Sequence, residues 1–448
     1  MKSIFWTLLL VGSLGLAPAA LLADTTIDDP KLDRLVAEAR REFLTTQSFD
    51  RLDVVVLLPR GDGTWQRGSY GRETLAYPAS CVKLAYMVAA VHWCSAQGKP
   101  VDCLDSHLRP MVVDSSNEET GEVVDAITGA PNRPATSSNT PGYREWYSRR
   151  LYTENFLKAQ NLLGNQTILH KTYPSNSGEM PGGAEKVAID ERGRNAMRPD
   201  LSAELMRRIV RGELEPQATA YMRALLATPT FDEQSGIGFG LPPGSRYENK
   251  IGAAYDTLED IAYIVLPNGR ELILAIFTNG LDQRQPEPYD IAPLGVFAEK
   301  LIEKLGLDEG DPPKRKIDDT DSAVTVTGRW QKRTDTKDKF GEDYLRSVGG
   351  FGSQQVIWNL NVPESGRYEV AVWYPALQEN TSEAAYTVVH GDGIAEVKLN
   401  QQVWGGRWVK LGDFAFKAGQ GSVILSDKTA DPNRQVVADA LKITRWPR

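Results

Sequence analysis

Apolar residues at helical spacing over 33–43 predict an amphipathic helix, and the apolar run 52–58 predicts a strand entering the turn Pro59-Arg60-Gly61-Asp62-Gly63. Residues 79–93 return to helical spacing, with Leu84, Met87, Val88 and Val91 on one stripe. A further helix is predicted over 201–210, after Pro199-Asp200. Strands at 261–266 and 271–277 follow, joined by Pro267-Asn268-Gly269 as a hairpin turn, and a helix over 292–305 ends this part of the chain. Strands and helices in this order predict an α+β domain with an antiparallel sheet. The pattern then changes. Residues 306–319 are charged, contain Pro312-Pro313 and lack apolar periodicity, as a linker does. Beyond them, short strands are predicted at 324–326, 355–360, 368–373, 385–389, 397–399, 408–411 and 422–425. Turns such as Glu364-Ser365-Gly366 and His390-Gly391-Asp392-Gly393 separate them, which predicts an all-β sandwich.

The first segment reads differently from the rest. Met1-Lys2 precedes an apolar run over 4–16 and the small-residue patterns Ala17-Pro18-Ala19 and Leu21-Leu22-Ala23, as in a signal peptide. The run is shorter than the roughly 20 residues of a spanning helix, so a periplasmic or secreted chain without stable membrane insertion is expected. The expected division is a signal peptide over 1–23, a first domain over 24–308, a linker over 309–316 and a second domain over 317–448. A net charge of −8 over 448 residues argues against nucleic acid as the main partner, since phosphate binding needs a basic face. Of three cysteines, Cys94 and Cys103 flank a Gly98-Lys99-Pro100 turn and could bridge, while Cys81 reads as a buried thiol. The four histidines are scattered, with no H-x-x-x-H or C-x-x-C spacing, so neither metal nor cofactor is expected.

Candidate chemistry begins at Pro78-Ala79-Ser80-Cys81-Val82-Lys83. Residues three apart share a helix face, so the Ser80 hydroxyl and the Lys83 amine can meet. Serine becomes a nucleophile when a base takes its proton, and lysine serves as that base when burial and a cationic neighbour lower its pKa. At the start of a buried helix the Ser80 N–H can also face a developing oxyanion. Asp114-Ser115-Ser116-Asn117 adds an S-x-N element, in which Ser115 could shuttle a proton and Asn117 could bind Lys83 or the substrate. Asn249-Lys250-Ile251-Gly252-Ala253 adds K-x-G: Lys250 brings positive charge, and Gly252 and Ala253 are assigned to the substrate side, with the Ala253 N–H as second oxyanion donor.

These elements, in this order, resemble the class A β-lactamases and their penicillin-binding relatives over roughly residues 30–305. Residues 111–129 look like the helix bearing that family's S-D-N, and Arg194-Asn195-Ala196-Met197-Arg198-Pro199-Asp200 resembles its R-D-T-x-x-P stretch. The resemblance implies an acyl-enzyme on Ser80, with a β-lactam, a peptide of peptidoglycan type or an ester as substrate. Three departures stand out. Aligning Leu163 to Pro174 with the family's E-P-x-L-N segment puts Tyr173 where the deacylating Glu stands, and Glu179, Glu185 and Glu191 lie outside the motif. Ile251 replaces the usual hydroxyl residue of K-[ST]-G, and Ser116 replaces the Asp of S-D-N.

Residues 317–446 resemble the golvesin C-terminal-like, or xanthan-lyase carbohydrate-binding-like, domain. The resemblance rests on Ile317-Asp318-Asp319, Gly328-Arg329-Trp330, Gly366-Arg367-Tyr368-Glu369-Val370, Trp373-Tyr374-Pro375, Trp408-Val409-Lys410-Leu411-Gly412 and Ala438-Asp439-Ala440-Leu441. It implies a β-sandwich attached to a secreted enzyme, with a glycan as a candidate partner. Most of its six Trp residues are expected in packing, and Trp404 is the one expected exposed. The expectation is thus an exported serine hydrolase with an accessory domain. The alternative is a non-catalytic cell-wall or carbohydrate-binding protein with a degenerate pocket.

Overall fold

The computed structural model describes residues 26–172, 181–227, 236–280 and 292–447. The expected signal peptide and Tyr173 lie outside them. Six strands form the first sheet: β1 (Thr26–Asp28), β2 (Arg51–Pro59), β3 (Trp65–Tyr70), β4 (Arg246–Ala254), β5 (Thr257–Val265) and β6 (Glu271–Asn279). Their order is β1-β3-β2-β6-β5-β4, antiparallel throughout except for the parallel β1–β3 edge pair. The apolar run of β2 is continuous because both sheet faces are covered. Leu52, Val54 and Val56 pack with Val36 and Phe43 of α1 (Pro30–Phe43) and with Phe297 of the helix Pro293–Lys304. Val55 and Leu57 pack on the opposite face, in the core formed with α2 (Val82–Ala96).

Helix α1 starts three residues before the apolar pattern does, because the Asp29 side chain accepts the Lys31 and Leu32 N–H groups and Pro30 takes the first turn. Helix α2 departs from the one-stripe reading. Every residue from Val82 to Val91 is buried, so its first turns form a central helix with no solvent face, and only its last turn reaches the surface. Its start also differs: Ala79–Cys81 form a separate 3-10 turn, and the α-helix begins at Val82. Cys94 and Cys103 are disulfide-bonded at its far end, and Cys81 is a buried free thiol. The span 111–129, expected as one helix, is α3 (Asp105–Val112) and α4 (Asn117–Thr128), with Ser115 and Ser116 in the turn between.

The charged stretch expected as a linker up to residue 316 already carries structure from Lys314. There β7 (Lys314–Ile317) pairs with the last strand of the second domain, a match of backbone register that charge composition does not reveal. The remaining strands are β8 (Val324–Thr327), β9 (Gln331–Arg333), β10 (Tyr344–Val348), β11 (Gln355–Asn359), β12 (Gly366–Trp373), β13 (Ala384–His390), β14 (Gly393–Leu399), β15 (Val409–Phe416), β16 (Ser422–Ser426), β17 (Gln435–Ala438) and β18 (Ala440–Arg445). They form sheets of order β14-β13-β16-β11-β8, β15-β12-β18-β7 and β17-β10-β9. Trp358, Tyr368, Val370, Tyr386, Val423 and Leu425 fill the core between them. Trp358, Trp373 and Trp408 are buried, as packing residues are, whereas Trp404 is 39% exposed.

The two domains share apolar contacts. Ala371, Trp373, Trp408 and Ala440 of the sandwich join the core beneath α1 and the helix Pro293–Lys304. Glu299 of that helix faces Lys442 at 3.2 Å, Lys316 at 3.4 Å and Lys314 at 3.9 Å. Among the described residues no helix is long and apolar enough to cross a membrane.

Candidate active site

Ser80 is held by the 3-10 turn at the mouth of α2, half-buried, while Lys83 one turn on is fully buried. Ala79, just before the serine, has φ +43°, a left-handed conformation that costs a residue with a Cβ about 1–3 kcal/mol and that concentrates at functional sites. Two contacts with β4 fix the turn. The Cys81 thiol donates to the Lys250 carbonyl at 3.0 Å. Gly252 abuts the turn so closely that a Cβ there would lie 2.7 Å from the Pro78 oxygen and 2.9 Å from the Ser80 nitrogen. Only glycine permits that approach.

The side chains predicted to cooperate converge. Lys83 Nζ lies 3.0 Å from Ser80 Oγ, 3.1 Å from Ser115 Oγ, 2.9 Å from Asn117 Oδ1 and 2.5 Å from the Ser115 carbonyl. Lys250 Nζ reaches the same Ser115 Oγ at 3.1 Å and donates to the Ile251 carbonyl at 3.1 Å. Ser115 therefore sits between the two amines, at φ +55°. Burial, with the Lys250 ammonium beside it, pulls Lys83 down to about 6. Burial likewise pulls Lys250 down to about 8.

These distances fit a neutral Lys83. Its two N–H groups are taken by the Ser115 carbonyl and Asn117 Oδ1, which leaves the lone pair to accept the proton of Ser80. Ser115, in contact with both amines, can relay that proton to a leaving group. Two of the departures find physical places, while Tyr173 and Glu179 lie outside the described residues. Ser116 caps α4, its Oγ accepting the Glu119 N–H at 3.1 Å, a task Asp would share. Ile251 is buried in β4 and offers no hydroxyl. Glu185 is fully buried against Arg150 and His170, and Glu191 lies by the Tyr143 hydroxyl at 3.4 Å. Asn117, Gly252 and Ala253 all border the group, the first on Lys83 and the other two on the β4 segment that flanks the serine turn.

Sequence reading missed one feature of this region. Arg194 donates to the Tyr255 hydroxyl at 2.8 Å and lies over the rings of both Tyr77 and Tyr255. Tyr77 precedes the serine turn and Tyr255 follows the end of β4, their ring centroids 5.8 Å apart, and Tyr255 is 56% exposed at φ +57°. The signal available was the placement of Tyr255 two residues after Ala253, just beyond the K-x-G element.

A half-buried serine beside a buried lysine, with the S-x-N and K-x-G elements around them on a sheet flanked by helices, is a β-lactamase-like arrangement. The family model for the β-lactamase enzyme family matches residues 151–296, and that for the golvesin C-terminal domain matches residues 315–445. The chain belongs to the golvesin family: it is 37% identical over 429 residues to golvesin of Dictyostelium discoideum, covering 94% of this chain and 74% of that protein. It is also 34% identical over 142 residues to xanthan lyase of Bacillus sp. (strain GL1), of whose length the match covers 15%. Among solved structures it is similar to a β-lactamase from Sphaerobacter thermophilus, with a TM-score of 0.44 and 17% identity over 61% of this chain and 97% of that one.

Proposed function

We propose that the chain is an exported serine hydrolase that forms an acyl-enzyme on Ser80. The observation that carries this reading is the 3.0 Å contact between Ser80 Oγ and the amine of Lys83, whose proton is lost near neutrality. In the first step Ser80 Oγ attacks a substrate carbonyl and Lys83 takes the hydroxyl proton. The Ser80 N–H and the Ala253 N–H receive the negative charge on the carbonyl oxygen. As the carbonyl carbon's bond to its nitrogen or oxygen breaks, the proton returns through Ser115 to the leaving group. Water then attacks the ester on Ser80 and releases the acid.

The substrate class is a small strained or terminal carbonyl compound: a β-lactam, a peptide of peptidoglycan type or an ester. With no family glutamate in the motif, deacylation is the slow step, and the acyl-enzyme accumulates. Export rests on the apolar leader and its small-residue cleavage patterns. The sandwich would hold the enzyme at a glycan. Trp404 supports that role as an exposed ring, although the Arg407 guanidinium already covers it at 4.1 Å.

The test compares wild type with Ser80→Ala across a fluorescent penicillin, an activated ester and a peptide ending in D-Ala-D-Ala. Wild type is expected to carry a covalent label on Ser80 or to hydrolyse at least one compound, and Ser80→Ala to do neither. A wild-type chain that binds these compounds yet never forms a Ser80 adduct would leave the pocket a binding site only.

A further inference from the structure

We propose that the sandwich domain holds one calcium ion between the carboxylates of Asp318, Asp319 and Asp439, with Asp343 beside them. The site lies apart from the serine and is built from two of the sequence stretches that mark the golvesin-type domain, Ile317-Asp318-Asp319 and Ala438-Asp439-Ala440. The first ends β7, and the second joins β17 to β18. Because β7 pairs with β18, Ile317 standing opposite Leu441, the two stretches meet at one end of that sheet.

Carboxylate oxygens of Asp318, Asp319 and Asp439 lie within 4.8 Å of one another. That is the separation of two oxygens ligating one calcium from opposite sides, each at about 2.3–2.6 Å. Asp319 is 7% exposed, Asp343 5% and Asp439 0%. Among the described residues neither oxygen of Asp319 meets a hydrogen-bond donor, nor does Oδ1 of Asp439 or of Asp343. A buried carboxylate without a donor or a counter-charge is costly, and here several share one place. Among the described residues the one cation acting on this group is Lys332, 2.6 Å from Asp343 Oδ2 on a largely exposed side chain, a single positive charge against the carboxylates of Asp318, Asp319, Asp343 and Asp439.

The carboxylates are nonetheless oriented, as ligands are by their neighbours. The Phe340 N–H donates to Asp439 Oδ2 at 2.9 Å, the Asp319 N–H to Asp318 Oδ1 at 3.0 Å and the Thr320 hydroxyl to Asp318 Oδ2 at 3.0 Å. Gly341 lets its loop close over the group, since a Cβ there would lie 2.9 Å from Asp318 Oδ2. The donor set is oxygen alone, with neither His nor Cys, which selects a hard cation over zinc or copper. Ligands drawn from separate loops suit the flexible shell of calcium better than the rigid octahedron of magnesium. The ion would pin the first strand of the sandwich to its last, where the chain enters from the hydrolase domain.

The test uses the full chain, freed of metal with a chelator and titrated with calcium chloride by calorimetry and by thermal unfolding. Wild type is expected to take one equivalent of calcium and to melt at a higher temperature with it. Asp319→Asn and Asp439→Asn are expected to weaken binding by at least about tenfold. Should either fail to fold, Asp343→Asn, at the rim of the group, is expected to weaken binding less. A wild-type chain that neither takes up calcium nor changes its melting temperature overturns the proposal, and so do variants that bind as wild type does. Uptake of magnesium in place of calcium overturns the choice of ion.

Discussion

Replacing Lys83 by methionine is expected to slow acylation of Ser80 by about 10²–10⁴-fold, the usual contribution of a positioned base. The methionine keeps an unbranched apolar side chain out to Cε, with sulfur in place of Cδ, and lacks the terminal nitrogen. Ser80 then retains its turn, its N–H and its contact with β4, but nothing at 3.0 Å accepts its proton. The Ser115 carbonyl and Asn117 Oδ1 each lose a donor as well, a stability cost of about 1–3 kcal/mol for each group left unmet. Burying a neutral thioether in place of an amine offsets part of that cost, so the variant is expected to fold. The check is the rate of covalent labelling at neutral pH beside a melting curve. A folded Lys83→Met chain that labels at the wild-type rate would remove lysine from the mechanism.

The second large effect lies at the domain boundary. Glu299→Gln is expected to destabilise the chain by about 3–5 kcal/mol, as breaking a buried ion pair does. Lys316 and Lys314 retain Glu303, but Lys442, 7% exposed, has Glu299 as its ion-pair partner. The loss therefore falls on the contact between the sandwich and the helix Pro293–Lys304. Acid should mimic it. Burial alone would raise the Glu299 carboxyl, but the charges of Lys442, Lys316 and Lys314 outweigh burial and hold it at about 2, below its ordinary 4.5. A carboxylate depressed in the folded state stabilises fully above the unfolded value and loses that contribution as pH falls through the folded one. Denaturant midpoints measured from neutral pH down to about 2 should drop more for wild type than for Glu299→Gln. Equal slopes would mean that the three lysines do not act on this group.

Much of the first domain could be read from residues because its signals are local. The Pro267-Asn268-Gly269 hairpin, the apolar run of β2 and the Ser80, Lys83, Ser115 and Lys250 set are each short patterns with a local physical meaning, and the fold brings all four site residues together. What could not be read depends on the rest of the fold. The 3-10 turn at Ala79–Cys81 exists because β4 presses on it at Gly252, a contact between residues far apart in sequence. Helix α2 shows a stripe in sequence but is buried all round from Val82 to Val91, since its smaller residues are covered too. Strand β9 is polar along its length and β7 is polar except for the buried Ile317, and their partners rather than their composition make them strands. The acidic group at Asp318, Asp319 and Asp439 draws on two stretches more than a hundred residues apart, so no spacing rule for metal ligands could reveal it.

The mechanism stands or falls on the protonation of one amine, and the pH dependence of Ser80 labelling reports it directly. Lys83 is neutral above about 6, and Lys250 stays charged below about 8. The rate should therefore rise through the first value and decline beyond the second. A rate that keeps climbing toward pH 10, as it would for a lysine at its ordinary value of 10.5, would contradict the role given to Lys83.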